Sequence, residues 1–248
     1  MARKRRRTAD CENKQAVQNR SSMVTRSQSS SVKIRSDDNN NKNRNSPPVV
    51  VFAHGAGAPS SSEWMIRWKN LLHDSLNAVE VVTFDYPYIS KRKPPPKAEK
   101  LVEFHSDIVK MIAAKYPQHP LILVGKSMGS RISCMVAADN SIQASAVVCL
   151  GYPLKGSKGA IRDGPLLQLT VPTMFVQGTK DGLCSLESLE VVRKKMKALS
   201  RLHVVENGDH SMKIAKKNLK LAGITQEEAE ECAIQAIALF VSEIIGAR

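Results

Sequence analysis

Leu121-Ile-Leu-Val-Gly-Lys-Ser-Met-Gly-Ser130 is the stretch that decides the fold. Its first four residues are apolar and read as a short buried strand. Gly125-Lys126-Ser127-Met128-Gly129 then fits G-x-S-x-G, and residues 128–138, rich in small side chains, read as a helix. Alone the pattern is weak, because composition predicts roughly 0.08 chance matches in a chain of this length. A strand directly before it and a helix directly after it make it specific. A nucleophile elbow needs that order, with the serine on a strained strand-to-helix turn and glycines where neighbouring backbone approaches. The bland alternative is a tight turn with a solvent-facing serine.

Outward from this stretch, short apolar runs alternate with amphipathic segments. Strands are expected at Val49–Ala53, Val79–Phe84, Ala144–Leu150, Thr173–Val176 and Leu202–Val205. Helices are expected at 61–77, 97–115, 185–198 and 226–245. Their apolar faces carry Trp64, Trp68, Leu71, Leu72 and Leu76 in the first, and Leu101, Phe104, Ile108 and Ile112 in the second. Such alternation implies an α/β fold, a mostly parallel central sheet with helices on both faces. Residues 152–170 are too few for a capping domain, so no large lid domain is expected and the site should be open and shallow.

A serine hydroxyl becomes nucleophilic only when a neutral imidazole takes its proton and a carboxylate orients that imidazole. Candidates stand in the order Ser, acid, His. Asp181 lies just past a strand in Gln177-Gly-Thr-Lys-Asp-Gly182, and His210 follows the last strand in Asn207-Gly-Asp-His210. Asp85, Asp163 and Asp209 compete for the acid role, and Asp181 could simply cap a turn. Asp209 adjoins the histidine in sequence, so its side chain should diverge from the imidazole. Of the other histidines, His73 and His105 fall on helices, His119 in a loop and His203 in a strand. An oxyanion needs two backbone N–H donors. Met128, after the serine, supplies one, and Ala56, with Gly57 behind it, supplies the second from His54-Gly-Ala-Gly57. His54 is read as holding that loop. Lys126 and Arg131 flank the elbow, either as a cationic rim selecting anionic substrates or, the reading favoured here, as solvated surface charge. Tyr86 and Tyr88 either line the pocket or pack their loop.

The 248 residues are 42% apolar, enough for one good-sized core. The net charge is +14. It is uneven: residues 1–46 hold twelve basic and four acidic side chains. That segment is Arg-, Ser- and Asn-rich without an aromatic, and reads as a disordered tail preceding one domain at 47–248. A uniformly basic nucleic-acid-binding domain is disfavoured, and no aromatic is interleaved with the tail's charge, so no specific nucleic-acid partner is expected. Arg3-Lys-Arg-Arg-Arg7 suggests a nuclear or nucleocytoplasmic address. The rivals are an Arg- and Ser-rich organelle transit peptide, although the start lacks periodic apolar residues for an amphipathic helix, and a solvated charge run with no address in a cytoplasmic protein. No secretory signal and no membrane span are expected. Five cysteines without a C-x-x-C pair read as reduced packing residues. No cofactor-binding fingerprint and no metal-ligand spacing is present.

His54-Gly-Ala-Gly57, Phe84-Asp-Tyr-Pro87, Gly125-Lys-Ser-Met-Gly129 with Arg131, Gly151-Tyr-Pro-Leu154, Val171-Pro172 and Phe175-Val-Gln-Gly-Thr-Lys-Asp181 recur in that order. Together they make the chain resemble the dienelactone-hydrolase-like branch of the α/β-hydrolases. In particular it is similar to the group containing testis-expressed protein thirty and subunit three of the non-specific lethal acetyltransferase complex. The resemblance covers roughly residues 48–246. It implies Ser127 as nucleophile, Asp181 as acid, His210 as base, and Ala56 and Met128 as oxyanion donors. Two departures, Ala58 where the group has glycine and Lys155-Gly-Ser157 where it has a His-Pro-Pro-like stretch, lie in loops near the expected site.

The expected function is therefore hydrolysis of an ester or related acyl bond in a small soluble substrate, without cofactor or metal. The alternative is a hydrolase-fold interaction protein that works through protein partners as a complex subunit. A third reading, a nucleic-acid-associated protein acting through its tail, is disfavoured.

Overall fold

A computed structural model describes residues 46–156 and 159–247. The expected disordered tail, apart from Ser46, and the Arg3–Arg7 cluster lie outside these residues. Within them six strands form one sheet: β1 (Val49–Ala53), β2 (Glu80–Phe84), β3 (Leu121–Lys126), β4 (Ala146–Leu150), β5 (Thr173–Gly178) and β6 (Ser200–Val205). Their spatial order is β2-β1-β3-β4-β5-β6, and every neighbouring pair is parallel. The strands of β1, β3, β4 and β5 are buried along their whole length, as unbroken apolar runs require when helices cover both faces.

Alternation along β1 divides the core. Val49, Val51 and Ala53 pack on one face of the sheet with Ile132, Cys134, Cys149 and Phe175. Val50 and Phe52 pack on the other with Trp68, Leu72, Ile234 and Phe240. That second face is covered by α1 (Glu63–Leu76) and α8 (Gln226–Gly246). On the first lie α3 (Val102–Lys115), α4 (Met128–Ala137), α5 (Gly164–Gln168) and α6 (Leu186–Arg193). Two short helices complete the set, α2 (Pro87–Ser90) and α7 (Lys216–Ala222). Between β4 and β5 the described residues contribute only α5 and loops, and no lid domain.

The segment expected as one helix over 97–115 begins as a 3₁₀ turn, Ala98–Leu101, before α3. Its buried side chains are His105, Ser106, Val109 and Ile112, while Phe104 and Ile108 are half-buried. The expected face holds, with Leu101 and Ile112 buried and Phe104 and Ile108 packed against the core, and His105 joins it, where it meets Tyr86. Helix α6 stops at Arg193, short of the expected 198. No described helix is long and apolar enough to cross a membrane.

From β1 the chain adds β2 on one side and β3 on the other, so strand order reverses between β1 and β3. Register pairs Ala53 with Gly125, so the loops leaving these two strands emerge side by side. In open parallel sheets such a crevice beyond the strand ends is where ligands bind.

Candidate active site

The turn after β3 is built by steric exclusion. Ser127 holds φ 53°, ψ −115°, a conformation costly for a residue with a Cβ. A Cβ on Gly125 would lie 2.3 Å from the Ser130 nitrogen, and one on Gly129 would lie 2.5 Å from the Ala53 carbonyl oxygen. Both glycines are therefore required for α4 to leave the sheet so abruptly. The Ser127 N–H donates to the Leu150 carbonyl (3.0 Å), and Ser130 Oγ donates to the Ser127 carbonyl (2.6 Å). These bonds pin the strained residue to β4 and to the first turn of α4.

Asp181, past β5, and His210, past β6, converge on this serine. His210 Nε2 lies 2.7 Å from Ser127 Oγ, and His210 Nδ1 lies 2.7 Å from Asp181 Oδ2. A carboxylate can only accept, so Nδ1 carries the proton and the Nε2 lone pair faces the serine hydroxyl. Asp181 is also held by Gln177 Nε2 (2.5 Å) and by the Leu183 N–H (2.8 Å). Burial pushes its pKa up, but the bonds from His210, Leu183 and Gln177 and the His210 charge outweigh burial and hold it below the usual carboxylate value. The Asp181 side chain is fully buried while His210 keeps 26% exposure, so the imidazole alone of this pair reaches the opening.

The loop bearing His210 is tied down on several sides. Lys126 Nζ donates to the His210 carbonyl and Trp64 Nε1 donates to the Ser211 carbonyl (3.0 Å). Gln226 accepts from the Ile214 N–H and donates to the Met212 carbonyl. Gly151, at φ 64°, gives the loop room, since a Cβ there would lie 2.7 Å from the His210 carbonyl oxygen. Lys126 is only 8% exposed, with Nζ 5.4 Å from the Trp64 ring centroid. Burial lowers its pKa to about 8, against the pull of Asp181 and Asp209. The expected solvated charge at Lys126 is thus corrected: the lysine is an internal tether.

The competing carboxylates point elsewhere. Asp209 Oδ1 accepts from the Ser211 and Lys213 N–H groups, so it shapes the loop and diverges from the imidazole. Asp85 accepts from the Ser60 N–H (2.7 Å). Asp163 precedes α5 without a side-chain capping bond.

Across the crevice, His54 Nδ1 donates to the Gly55 carbonyl (2.6 Å) and its Nε2 accepts from the Tyr86 N–H (3.1 Å). Both ring nitrogens are occupied, and burial lowers the imidazole pKa. His54 holds its loop and has no lone pair to offer a substrate. Tyr88 Oη meets the Gly55 and Ala56 carbonyls (3.3 Å each), orienting the peptide that carries the Ala56 N–H. Tyr86 and Tyr88 are buried and pack the loops. Ala56, Ser127 and Leu183 line two adjoining cavities, and Met128 lines the larger of them. The N–H groups of Ala56 and Met128 donate to no backbone carbonyl among the described residues.

Sequence reading missed Gln177 and Trp64 as parts of this arrangement, and of the two roles open for Tyr88 the structure shows the loop-packing one. Gln177 had a signal, as a polar residue inside an apolar strand four positions before Asp181. Trp64 had none that distinguishes it from core.

Strand order, the elbow and the position of the crevice define an α/β-hydrolase. The chain belongs to the alpha/beta hydrolase domain family, which matches residues 46–242. Solved structures agree at the level of fold. A serine hydrolase homologue from Coxiella burnetii has a TM-score of 0.58 at 15% identity, covering 77% of this chain and 84% of that one. Dienelactone hydrolase from Anabaena variabilis gives 0.57 at 17%, covering 80% and 85%. An esterase of Pyrococcus furiosus gives 0.60 at 14%, covering 81% and 84%.

Proposed function

We propose that this hydrolase cleaves an ester or related acyl bond in a small soluble substrate, with Ser127 as nucleophile. The observation that carries the reading is the continuous chain Asp181–His210–Ser127, two contacts of 2.7 Å ending on a serine in strained backbone. In this reading His210 Nε2 takes the hydroxyl proton as Oγ attacks the acyl carbon. Asp181 keeps Nδ1 protonated and stabilises the imidazolium that forms. The Met128 and Ala56 N–H groups receive the oxyanion, Met128 as the first residue of α4, where the backbone N–H has no partner within the helix. His210 then returns the proton to the leaving group, and water releases the acyl-enzyme by the same steps. The esterase and hydrolase neighbours support the reaction class by analogy of fold.

A fluorophosphonate probe tests this. Wild type should be labelled at neutral pH, and Ser127→Ala should not. Folded wild type that resists the probe would favour the interaction-protein reading, in which the fold serves protein partners.

A further inference from the structure

Ser127 stands between two cavities of different character. The smaller, about 350 Å³, is lined by His210, Trp64, Met65 and the Gly55–Ala58 loop. The larger, about 720 Å³, opens over Met128 and carries Lys97, Lys100, Arg131 and Arg162 against a single carboxylate, Glu99. If Ser127 is the nucleophile, His210 must pass its proton to the leaving group, which therefore occupies the His210 side. The acyl chain is left with the larger, cationic cavity.

Arg131 is the central cation there. It lies one turn beyond Ser127 on α4, its backbone N–H reaching the Ser127 carbonyl (3.3 Å). The expectation of solvated surface charge fails here too, because its side chain is only 13% exposed. Its Nη2 donates to Glu99 Oε1 (2.9 Å), and its Nε is buried without a hydrogen-bond acceptor among the described residues. Glu99 is itself 59% exposed, a partner that can swing to solvent. Arg162, half-buried in the same lining, has one side-chain hydrogen bond among the described residues, a 3.4 Å contact to the Pro153 carbonyl. Arg131 also meets the Tyr152 hydroxyl, yet both arginines line the cavity, and the five donors of a guanidinium's rigid fork exceed these contacts, leaving N–H groups for an anion. Pro96, Ala98, Pro153 and Leu183 add apolar lining to the same cavity.

We propose that the acyl half of the substrate is a short chain ending in an anionic group, seated between Arg131 and Arg162 while Ser127 attacks its other end. The proposal rests on the serine-hydrolase reading and names the substrate class for it. Glu99, which pairs with Arg131, yields it to the substrate.

The test compares nitrophenyl glutarate, a half-ester with a free carboxylate, with nitrophenyl valerate, its uncharged five-carbon counterpart, on full-length protein at low ionic strength. Wild type should favour the charged ester in kcat/KM by about tenfold, the size of one half-buried charged hydrogen bond, and added salt should erode the ratio. Arg131→Gln should bring the ratio close to one, mainly through KM. Glu99→Gln should raise it, an outcome that a purely structural ion pair would not produce. A ratio at or below one in wild type that hydrolyses the valerate ester overturns this proposal and leaves the hydrolase reading standing. If neither ester is cleaved, the hydrolase reading fails, and calorimetric titration of Ser127→Ala with glutarate against glutaramide decides the site independently. Binding of the dianion that Arg131→Gln abolishes supports the anion site, and equal binding of both compounds overturns it.

Discussion

Two histidine clusters sit within the same crevice and behave oppositely. His210 has a carboxylate on Nδ1, a serine hydroxyl on Nε2 and an open face. His54 and His105 are completely buried around Tyr86, with His105 Nδ1 3.1 Å from Tyr86 Oη. Burial, with His54 adding to it, drives the His105 pKa down to about 3, so it stays neutral at any working pH. Burial by itself therefore produces a silent histidine. What marks the other out is a carboxylate on one nitrogen and a serine hydroxyl on the other.

The largest expected effect breaks the active cluster at its orienting end. Asp181→Asn should lower kcat by about 10⁴-fold, the loss known for the equivalent serine-protease change, with KM little altered because the cavities stay intact. Steady-state kinetics on a nitrophenyl ester measures this, and Asp85→Asn is the control. Near-full activity in Asp181→Asn would assign the acid elsewhere. Next comes the elbow. Gly129→Ala forces a Cβ to 2.5 Å from the Ala53 carbonyl, so it should cost about 2–4 kcal/mol in urea unfolding and abolish activity in the folded fraction.

Sharpening the comparison calls for smaller changes. Lys126→Met removes the tether to the His210 carbonyl and should lower kcat about tenfold. Wild-type activity should decline above pH 8 as Lys126 loses its proton, and the variant should lack that inflection. The sign for stability is opposite. Lys126 binds its proton less tightly folded, at about 8, than unfolded, near 10.5, so wild type should gain stability between those values relative to Lys126→Met. Equilibrium unfolding at several pH values checks it. At the silent cluster, His105→Phe should cost about 1–3 kcal/mol by leaving Tyr86 Oη unpaired, yet change kcat less than threefold.

Legibility followed the same divide. Strands β1, β3, β4 and β5 and the elbow were readable because unbroken apolar runs and two obligatory glycines leave few alternatives. Ser127, Asp181 and His210 were readable as candidates because each follows a strand, in hydrolase order, and the structure brings the three together. Helices α2, α5 and α7 have four, five and seven residues, too short for apolar periodicity to register. The inward place of His105 on α3 was not legible, because a histidine counts as polar until Tyr86 is seen beside it. Lys126 and Arg131 looked like surface for a similar reason: charge in sequence says nothing of what folds over it.

The central claim is that Ser127 carries the acyl group between two half-reactions. Acid-quenching wild-type protein during turnover of a nitrophenyl ester, then mapping peptides by mass spectrometry, tests it directly. The account predicts one acyl mass on the peptide containing Ser127, absent from Ser127→Ala along with turnover. Turnover that persists in Ser127→Ala, or an acyl group found on a different side chain, would contradict it.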